Sequence, residues 1–469
     1  MLSLNWTLPN TSEILDESVA VDINKVDFNK EFLEKRARFI EKTLAALGAP
    51  VQVVKISQGP TITQFGVKPL FIDARSGRMR VHINKILSLT DDLTLALSAK
   101  NIHIQAPMPE DDIISIEIPN QERTLVVLKD ILDSDEFQRN RTSLSIALGK
   151  DITGLLRLTT LENMPHLLIA GTTGSGKSVF INSILTNLLL YNTPNDLRLV
   201  LVDSKLVELT RYNGIPHLLA PIITDMARVV GALQWMNREM NKRYHTFAEA
   251  GVRNIGDYNA HMKLQDKKQL PFLLIVIDEI ADLIIDAPKE IEQTITRLAQ
   301  LASATGIHLI FATQRPSSDV VTGQIKSNFP ARIAFTVTSN TDSRIILNQP
   351  GAELLFGRGD MLFKAPNELT PIRLQGVMVS DAEIHRLVEF WRVQGEQINL
   401  LAKPNLEETK RETTIDPLMP KAVDLVRREG HASISILQRR LRIGYTRATR
   451  LMDQMEKDGV IESPENNSS

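Results

Sequence analysis

Cysteine is absent from the 469 residues, which excludes disulfides, thiolate metal sites and cysteine nucleophiles and fits a reducing compartment. Long hydrophobic runs are missing too. The longest, Phe272 to Ile277, falls far short of the ~18 apolar residues of a spanning helix, so no bilayer crossing is expected. Charge of one sign does not dominate: 54 Lys plus Arg against 56 Asp plus Glu give a net −2. No global field therefore draws the protein to nucleic acid or membrane, and any such attraction has to be local. The first residues carry Asn, Asp and Glu, with no basic stretch and apolar core of a secretory signal. The cytosol is the expected compartment, with membrane anchoring only through sequence that would precede Met1. Repeats of fixed period and long low-complexity tracts are not found.

What is present is length and 43% apolar residues, enough for about three domains at ~150 residues each. Residues 1–25 are polar and acidic and predict a flexible lead-in. Apolar residues then recur at helical spacing from Asp27 to Leu47 and stop at Gly48. Strand-like runs at 51–56, 61–67 and 113–118 surround a helical stretch at 91–99, so residues 26–125 read as a small α+β domain. From about Leu144, apolar runs at 166–170, 197–202, 272–277, 307–312 and 332–337 alternate with helical stretches. That alternation predicts an α/β domain over 126–395, with a parallel sheet covered on both faces. Residues 396–413 are charged and aperiodic, as in a linker, and 414–469 form a third, helical unit.

Gly171-Thr172-Thr173-Gly174-Ser175-Gly176-Lys177-Ser178 fits G-x-x-x-x-G-K-[ST]. It directly follows Leu167-Leu168-Ile169-Ala170 and precedes the helical 179–190, the strand, loop and helix context a phosphate-binding loop requires. Its glycines let backbone N–H groups turn inward around phosphate oxygens, and the helix start adds its positive dipole end. Lys177 is expected on the β and γ phosphates of ATP, and the Ser178 hydroxyl on Mg²⁺. A second buried run ends in Asp278-Glu279; Asp278 is expected to support Mg²⁺ and Glu279 to polarise the attacking water. The run 307–312 leads to Thr313-Gln314-Arg315-Pro316, where Gln314 is a candidate γ-phosphate sensor. Lys177, Glu279 and Gln314 form the expected catalytic set.

These residues resemble the FtsK/SpoIIIE family of double-stranded DNA translocases. The stretches that carry the resemblance are Pro165 to Gly171, Gly214-Ile215-Pro216-His217-Leu218-Leu219, Val276-Ile277-Asp278-Glu279, Gly306-Ile307-His308-Leu309, Ala312 to Pro316 and Asp342-Ser343-Arg344. Ser57-Gln58-Gly59-Pro60 and Ile116-Glu117-Ile118-Pro119-Asn120 are similar to the family's α domain, and Arg442-Ile443-Gly444-Tyr445 to its γ winged helix. The resemblance implies a RecA-like P-loop motor with an N-terminal α+β domain and a C-terminal winged helix-turn-helix. It further implies a hexameric homo-oligomer with duplex DNA through the pore, a role in chromosome segregation and cell division, and a site-specific recombinase as a further partner. Three positions depart from the family. Ser303 stands where an Arg usually reaches the neighbouring ATP site, Asn340 where a Lys precedes Asp342-Ser343-Arg344, and Ser204 where a Pro follows Asp203. Arg297, earlier on the preceding helix, is a candidate substitute for the missing Arg.

A ring that moves along any sequence has to hold phosphates rather than base edges, and Arg315, Lys326 and Arg344 are the candidates for the pore. In the C-terminal unit Ser433 is expected to cap one helix and 445–457 to form a second, as in a helix-turn-helix. Arg439, Arg440, Arg442, Arg447 and Arg450 form a basic patch without an intervening acid. The family reads a guanine-rich sequence with an Asn, an Arg and a Glu here; the matching positions are Thr446, Arg450 and Asp453, which predicts an altered preference. Two other readings stand beside the translocase. One is a DNA-binding subunit that uses nucleotide for assembly with weak turnover; the other is a conjugation or secretion coupling ATPase.

Overall fold

The computed structural model describes residues 6–17, 23–74, 77–99, 101–105, 113–120, 124–286, 288–397, 399–400, 418–429, 433–441, 451–452 and 455. The chain divides into two units, Met1–Leu401 and Ala402–Ser469.

Within the first unit, the helix Ile23–Ala46 packs on a four-stranded antiparallel sheet. Its strands are β1 (Val51–Gln58), β2 (Ile62–Pro69), β5 (His103–Gln105) and β6 (Ile114–Pro119), in the order β1-β2-β6-β5. A hairpin of β3 (Phe71–Ala74) and β4 (Gly77–Arg80) lies between them in sequence. Ile40 and Leu44 of the helix meet Phe65, Val67, Ile114, Ile116 and Ile118 in one core. The strand β6 alternates apolar residues with polar ones, yet Glu117 is also buried, at 2% exposure.

The remaining nine strands form a single sheet: β7 (Ser145–Asp151), β8 (Leu156–Thr160), β9 (His166–Ala170), β10 (Leu197–Val202), β11 (Phe272–Ile277), β12 (Ile307–Thr313), β13 (Ala331–Phe335), β14 (Asp360–Lys364) and β15 (Ile372–Gly376). Their order is β10-β11-β12-β9-β13-β14-β15-β7-β8. The five from β10 to β13 are parallel, and the four beyond are antiparallel. Apolar side chains of the two faces feed two cores, one under the Lys177–Tyr191 and Asp381–Gln394 helices and one under Met226–Ala250 and Pro288–Leu301. Because both faces of the parallel strands are covered, β9 and β12 are buried along their whole length. The antiparallel half escaped the sequence pattern, since β8 and β15 mix polar and apolar positions on a sheet that is only partly covered there.

Strand β9 lies between β12 and β13, while the chain leaves it for β10, two strands beyond β12. Such a reversal opens a crevice at the carboxyl ends of the strands, where α/β folds bind ligands.

The lead-in is not loose where it is described. Asn10 caps a helical turn, Thr11–Ile14, and Ile14 and Leu15 are buried in the core of the large sheet. Trp6 meets Trp391 edge to face at 6.3 Å. Thr7 N–H donates to Gln394 Oε1 at 2.8 Å, Arg386 Nε to the Ile14 carbonyl at 2.8 Å, and Arg386 Nη2 to Asp16 at 2.7 Å. Polar composition hid this segment because a few large side chains, rather than periodicity, anchor it.

In the second unit the helices Met419–Glu429 and Ile434–Leu441 share a small core made by Met419, Ala422, Val426, Leu437, Leu451 and Met455.

Candidate nucleotide-binding site

The loop from Gly171 to Ser178 is suspended from both neighbours of β9. Gly171 N–H donates to the Thr313 carbonyl at the end of β12, and Thr172 N–H to the Thr336 carbonyl just past β13. Inside the loop, Ser175 Oγ donates to the Thr172 carbonyl at 2.6 Å. Gly174 and Gly176 have φ of +76° and +113°, which an L side chain rarely adopts, and a Cβ on Gly174 would meet nothing within 4 Å. The loop therefore cups open space ahead of the Lys177–Tyr191 helix start, the geometry that gathers N–H donors on a phosphate.

Lys177 and Asp278 are brought together. Lys177 Nζ lies 2.9 Å from Asp278 Oδ1 and 2.7 Å from the Asp278 carbonyl oxygen, with the side chains only 3% and 5% exposed. Parallel pairing of β11 with β12, and of β12 with β9, puts the Asp278-Glu279 end beside the loop. Glu279 is held by the neighbouring strand tip: Thr313 Oγ1 donates to Oε1 at 2.6 Å, and Gln314 N–H to Oε2 at 3.0 Å. Gln314 in turn accepts from Thr173 Oγ1 at 3.0 Å, so the expected sensor touches the phosphate loop directly. Lys177 meets Asp278, and Glu279 and Gln314 meet each other and the phosphate loop, at neighbouring strand ends, with Ser178 next to Lys177 in sequence.

The donor set suits a magnesium nucleotide. A lysine, one carboxylate at a strand end, one hydroxyl and a helix start match a cation held chiefly by phosphate oxygens. Among the described residues no group of three or more His, Asp or Glu side chains could hold a metal by itself.

Three further groups had no site role in the sequence reading. Lys205 reaches Glu279 Oε2 at 3.8 Å, presented by a turn that the buried Asp203 organises through N–H bonds from Lys205, Glu208 and Leu209. The Gly357-Arg358-Gly359 turn packs on the phosphate loop, with Gly359 N–H donating to the Ser175 carbonyl at 2.8 Å. Glu117 forms a buried ion pair with Arg373. Glycines bracketing a charge, and a glutamate inside an apolar strand, were the signals available.

The expected DNA contacts lie on several elements. Arg315 is exposed just after the tip of β12. Arg344 and Asn348 are one helical turn apart on and just past the helix Asn340–Leu347; Arg344 Nε donates to Asn340 Oδ1 at 2.7 Å, and Lys326 Nζ to Asn348 Oδ1 at 3.3 Å. Lys326 and Arg344 are thus each held by an asparagine at one end of the same helix. Arg439 and Arg440 are exposed on the last turn of Ile434–Leu441, while Arg442, Thr446, Arg447, Arg450 and Asp453 lie outside the described residues. Ser303 is exposed on the turn Ser303–Thr305, and Arg297 is exposed with its guanidinium 3.4 Å from Asn241 Oδ1.

Three family profiles tile this chain: FtsK/SpoIIIE family over residues 127–318, FtsK alpha domain over 8–120 and Ftsk gamma domain over 413–469. The chain belongs to the FtsK/SpoIIIE family. It is 46% identical over 435 residues to the DNA translocase FtsK of Caldanaerobacter subterraneus subsp. tengcongensis, covering 92% of this chain and 60% of that protein. It is 44% identical over 441 residues to the DNA translocase SpoIIIE of Bacillus subtilis, covering 92% and 55%. The chain thus spans somewhat over half the length of such FtsK/SpoIIIE relatives. Among solved structures, the pCW3 conjugation coupling protein TcpA with ATPγS superposes with a TM-score of 0.54 at 23% identity, over 77% of this chain and 100% of that one. The cytoplasmic domain of the Thermomonospora curvata type VII secretion ATPase EccC gives 0.52 at 23%, over 61% and 36%. At these identities the likeness is one of fold. No described helix is long and apolar enough to cross a membrane.

Proposed function

We propose that this chain is an ATP-driven translocase of double-stranded DNA that works in the cytosol as a ring of six copies. The observation that carries the reading is the convergence of Lys177, Asp278, Glu279 and Gln314 at adjacent strand tips, in a chain whose relatives bear the name DNA translocase.

The chain's own groups suggest how the site works. Lys177 would hold phosphate oxygens of ATP, and Asp278 and Ser178 would hold Mg²⁺, which would neutralise charge on the transferred phosphoryl group. Glu279, fixed by Thr313 and the Gln314 amide, orients and deprotonates the attacking water. Gln314 joins this carboxylate to the phosphate loop through Thr173 and so passes the state of the site to Arg315, next in sequence and exposed. Arg315, Arg344 and Lys326 hold duplex phosphates, and the basic helix of the C-terminal unit adds a second DNA contact.

A second reading, a DNA-binding subunit with weak turnover, is favoured by Ser303, whose hydroxyl cannot do the work of a guanidinium across a subunit boundary. One experiment decides between them: ATP hydrolysis with and without long duplex DNA, for the wild type, Lys177→Ala and Ser303→Arg. A translocase shows strong DNA stimulation that Lys177→Ala abolishes. No stimulation at any DNA concentration, with a large gain in Ser303→Arg, supports the weak-turnover subunit instead.

A further inference from the structure

Glu117, Asp360 and Arg373 form a buried triad that joins the two sheets of the first unit. Arg373 on β15 grips Asp360 on β14 with two bonds, Nε to Oδ1 at 3.0 Å and Nη2 to Oδ2 at 2.7 Å, and gives its other amine to Glu117 on β6. Glu117 and Asp360 are each 2% exposed, and burial pushes the Glu117 carboxyl up while Arg373 pulls it back down. Stability alone is a weak reason for such a group, since a buried ion pair is often no better than an apolar replacement.

The triad stands beside the phosphate loop. Asp360 Oδ2 accepts from Phe356 N–H at 2.8 Å and so closes the turn that holds Gly357, Arg358 and Gly359, all three with positive φ. Two residues from Arg373, Gln375 completes a parallel path. Its Oε1 accepts from Thr61 Oγ1 of the small domain, and its Nε2 donates to the Arg358 carbonyl at 2.9 Å. Gly359 N–H then donates to the Ser175 carbonyl at 2.8 Å, inside the phosphate loop.

The last bond has a directional consequence. A trans peptide is planar, with its C=O and N–H pointing opposite ways. Fixing the Ser175 carbonyl on Gly359 therefore aims the Gly176 N–H away from that turn, where the loop cups its ligand. We propose that Arg373 and Gln375 are positioning residues that tie the small N-terminal domain to the phosphate loop, so that displacement of Thr61 and Glu117 alters nucleotide affinity. The ligand is a nucleoside polyphosphate, and the inference rests on the ATP reading of the site.

Binding of fluorescent mant-ADP to the full chain tests it, with Thr61→Val, Thr61→Ser, Glu117→Gln and Lys177→Ala beside the wild type, and thermal melting run in parallel. Thr61 and Glu117 are remote in sequence from the loop, and their bonds to Gln375 and Arg373 lead towards it. Thr61→Val and Glu117→Gln are expected to weaken binding about threefold to tenfold, the range in which residues along a coupling network act. Thr61→Ser, which keeps the donor, is expected to restore it. Lowered melting temperatures with wild-type affinity in both variants would overturn the proposal and leave the two domains merely glued together. If Lys177→Ala also binds as the wild type does, the nucleotide reading itself falls; if only that variant loses affinity, the site stands and the linkage does not.

Discussion

Glu279 shows how much a single carboxylate depends on its neighbours. Its two oxygens are engaged by Thr313 and Gln314 from the next strand and approached by Lys205 from the turn beyond β10. Replacing it with the isosteric Gln keeps an acceptor but removes the base. Glu279→Gln is expected to lower kcat on the order of 10²–10⁴-fold while nucleotide affinity stays within about twofold, measured by steady-state hydrolysis beside mant-ADP binding. The residues at this site were legible in the sequence because each combines a motif position with a strand end. Gly171 to Ser178 follow one buried run, and Asp278-Glu279 and Gln314 follow two more. The contacts of Lys205, Arg358 and Gln375 were not legible, since they reach the site through turns and antiparallel partners, even where a motif or flanking glycines marked the residue.

The phosphate loop and the turn above it behave as one element. A Cβ on Gly176 would lie 2.5 Å from Gly359 N and 2.8 Å from its Cα, backbone atoms that cannot step aside, whereas one on Gly174 meets open space. Gly174→Ala is therefore expected to carry only the backbone penalty of about 1–2 kcal/mol. Gly176→Ala adds overpacking of about 1–3 kcal/mol and opens the loop. Urea unfolding checks the difference, and mant-ADP binding is expected to be lost in Gly176→Ala alone. The parallel strands around this element were readable because burial on both faces leaves unbroken apolar runs. The partners that shape the loop from outside, β14 and β15, were not, because their mixed pattern resembles a surface hairpin.

At the scale of the whole molecule, buried imidazoles set an acid limit. Burial pushes His166 and His217 down to about 3 and His308 to about 4, the last despite its bond to the Pro165 carbonyl. An unfolded histidine titrates near ~6.5, so all three are neutral in both states at neutral pH and their packing is fully effective there. As pH falls below ~6.5 the unfolded chain takes up protons that the fold refuses, and stability drops by about 1.4 kcal/mol per pH unit for each imidazole. The melting temperature is expected to fall between pH 7 and 5, and less steeply in His217→Gln, whose amide can still donate to the Asn192 carbonyl as His217 Nε2 does.

The seat of residues 6–16 on the helix Asp381–Gln394 matters for mechanics as well as packing. The small domain leaves the large sheet through this clasp and returns to it at Val127, which pairs with Met378. With Glu117 and Thr61 bonded to Arg373 and Gln375 as well, it is held to that sheet at its entrance, its exit and its body. A force applied upstream of Trp6 is therefore borne by the nucleotide-binding body before it reaches the small domain.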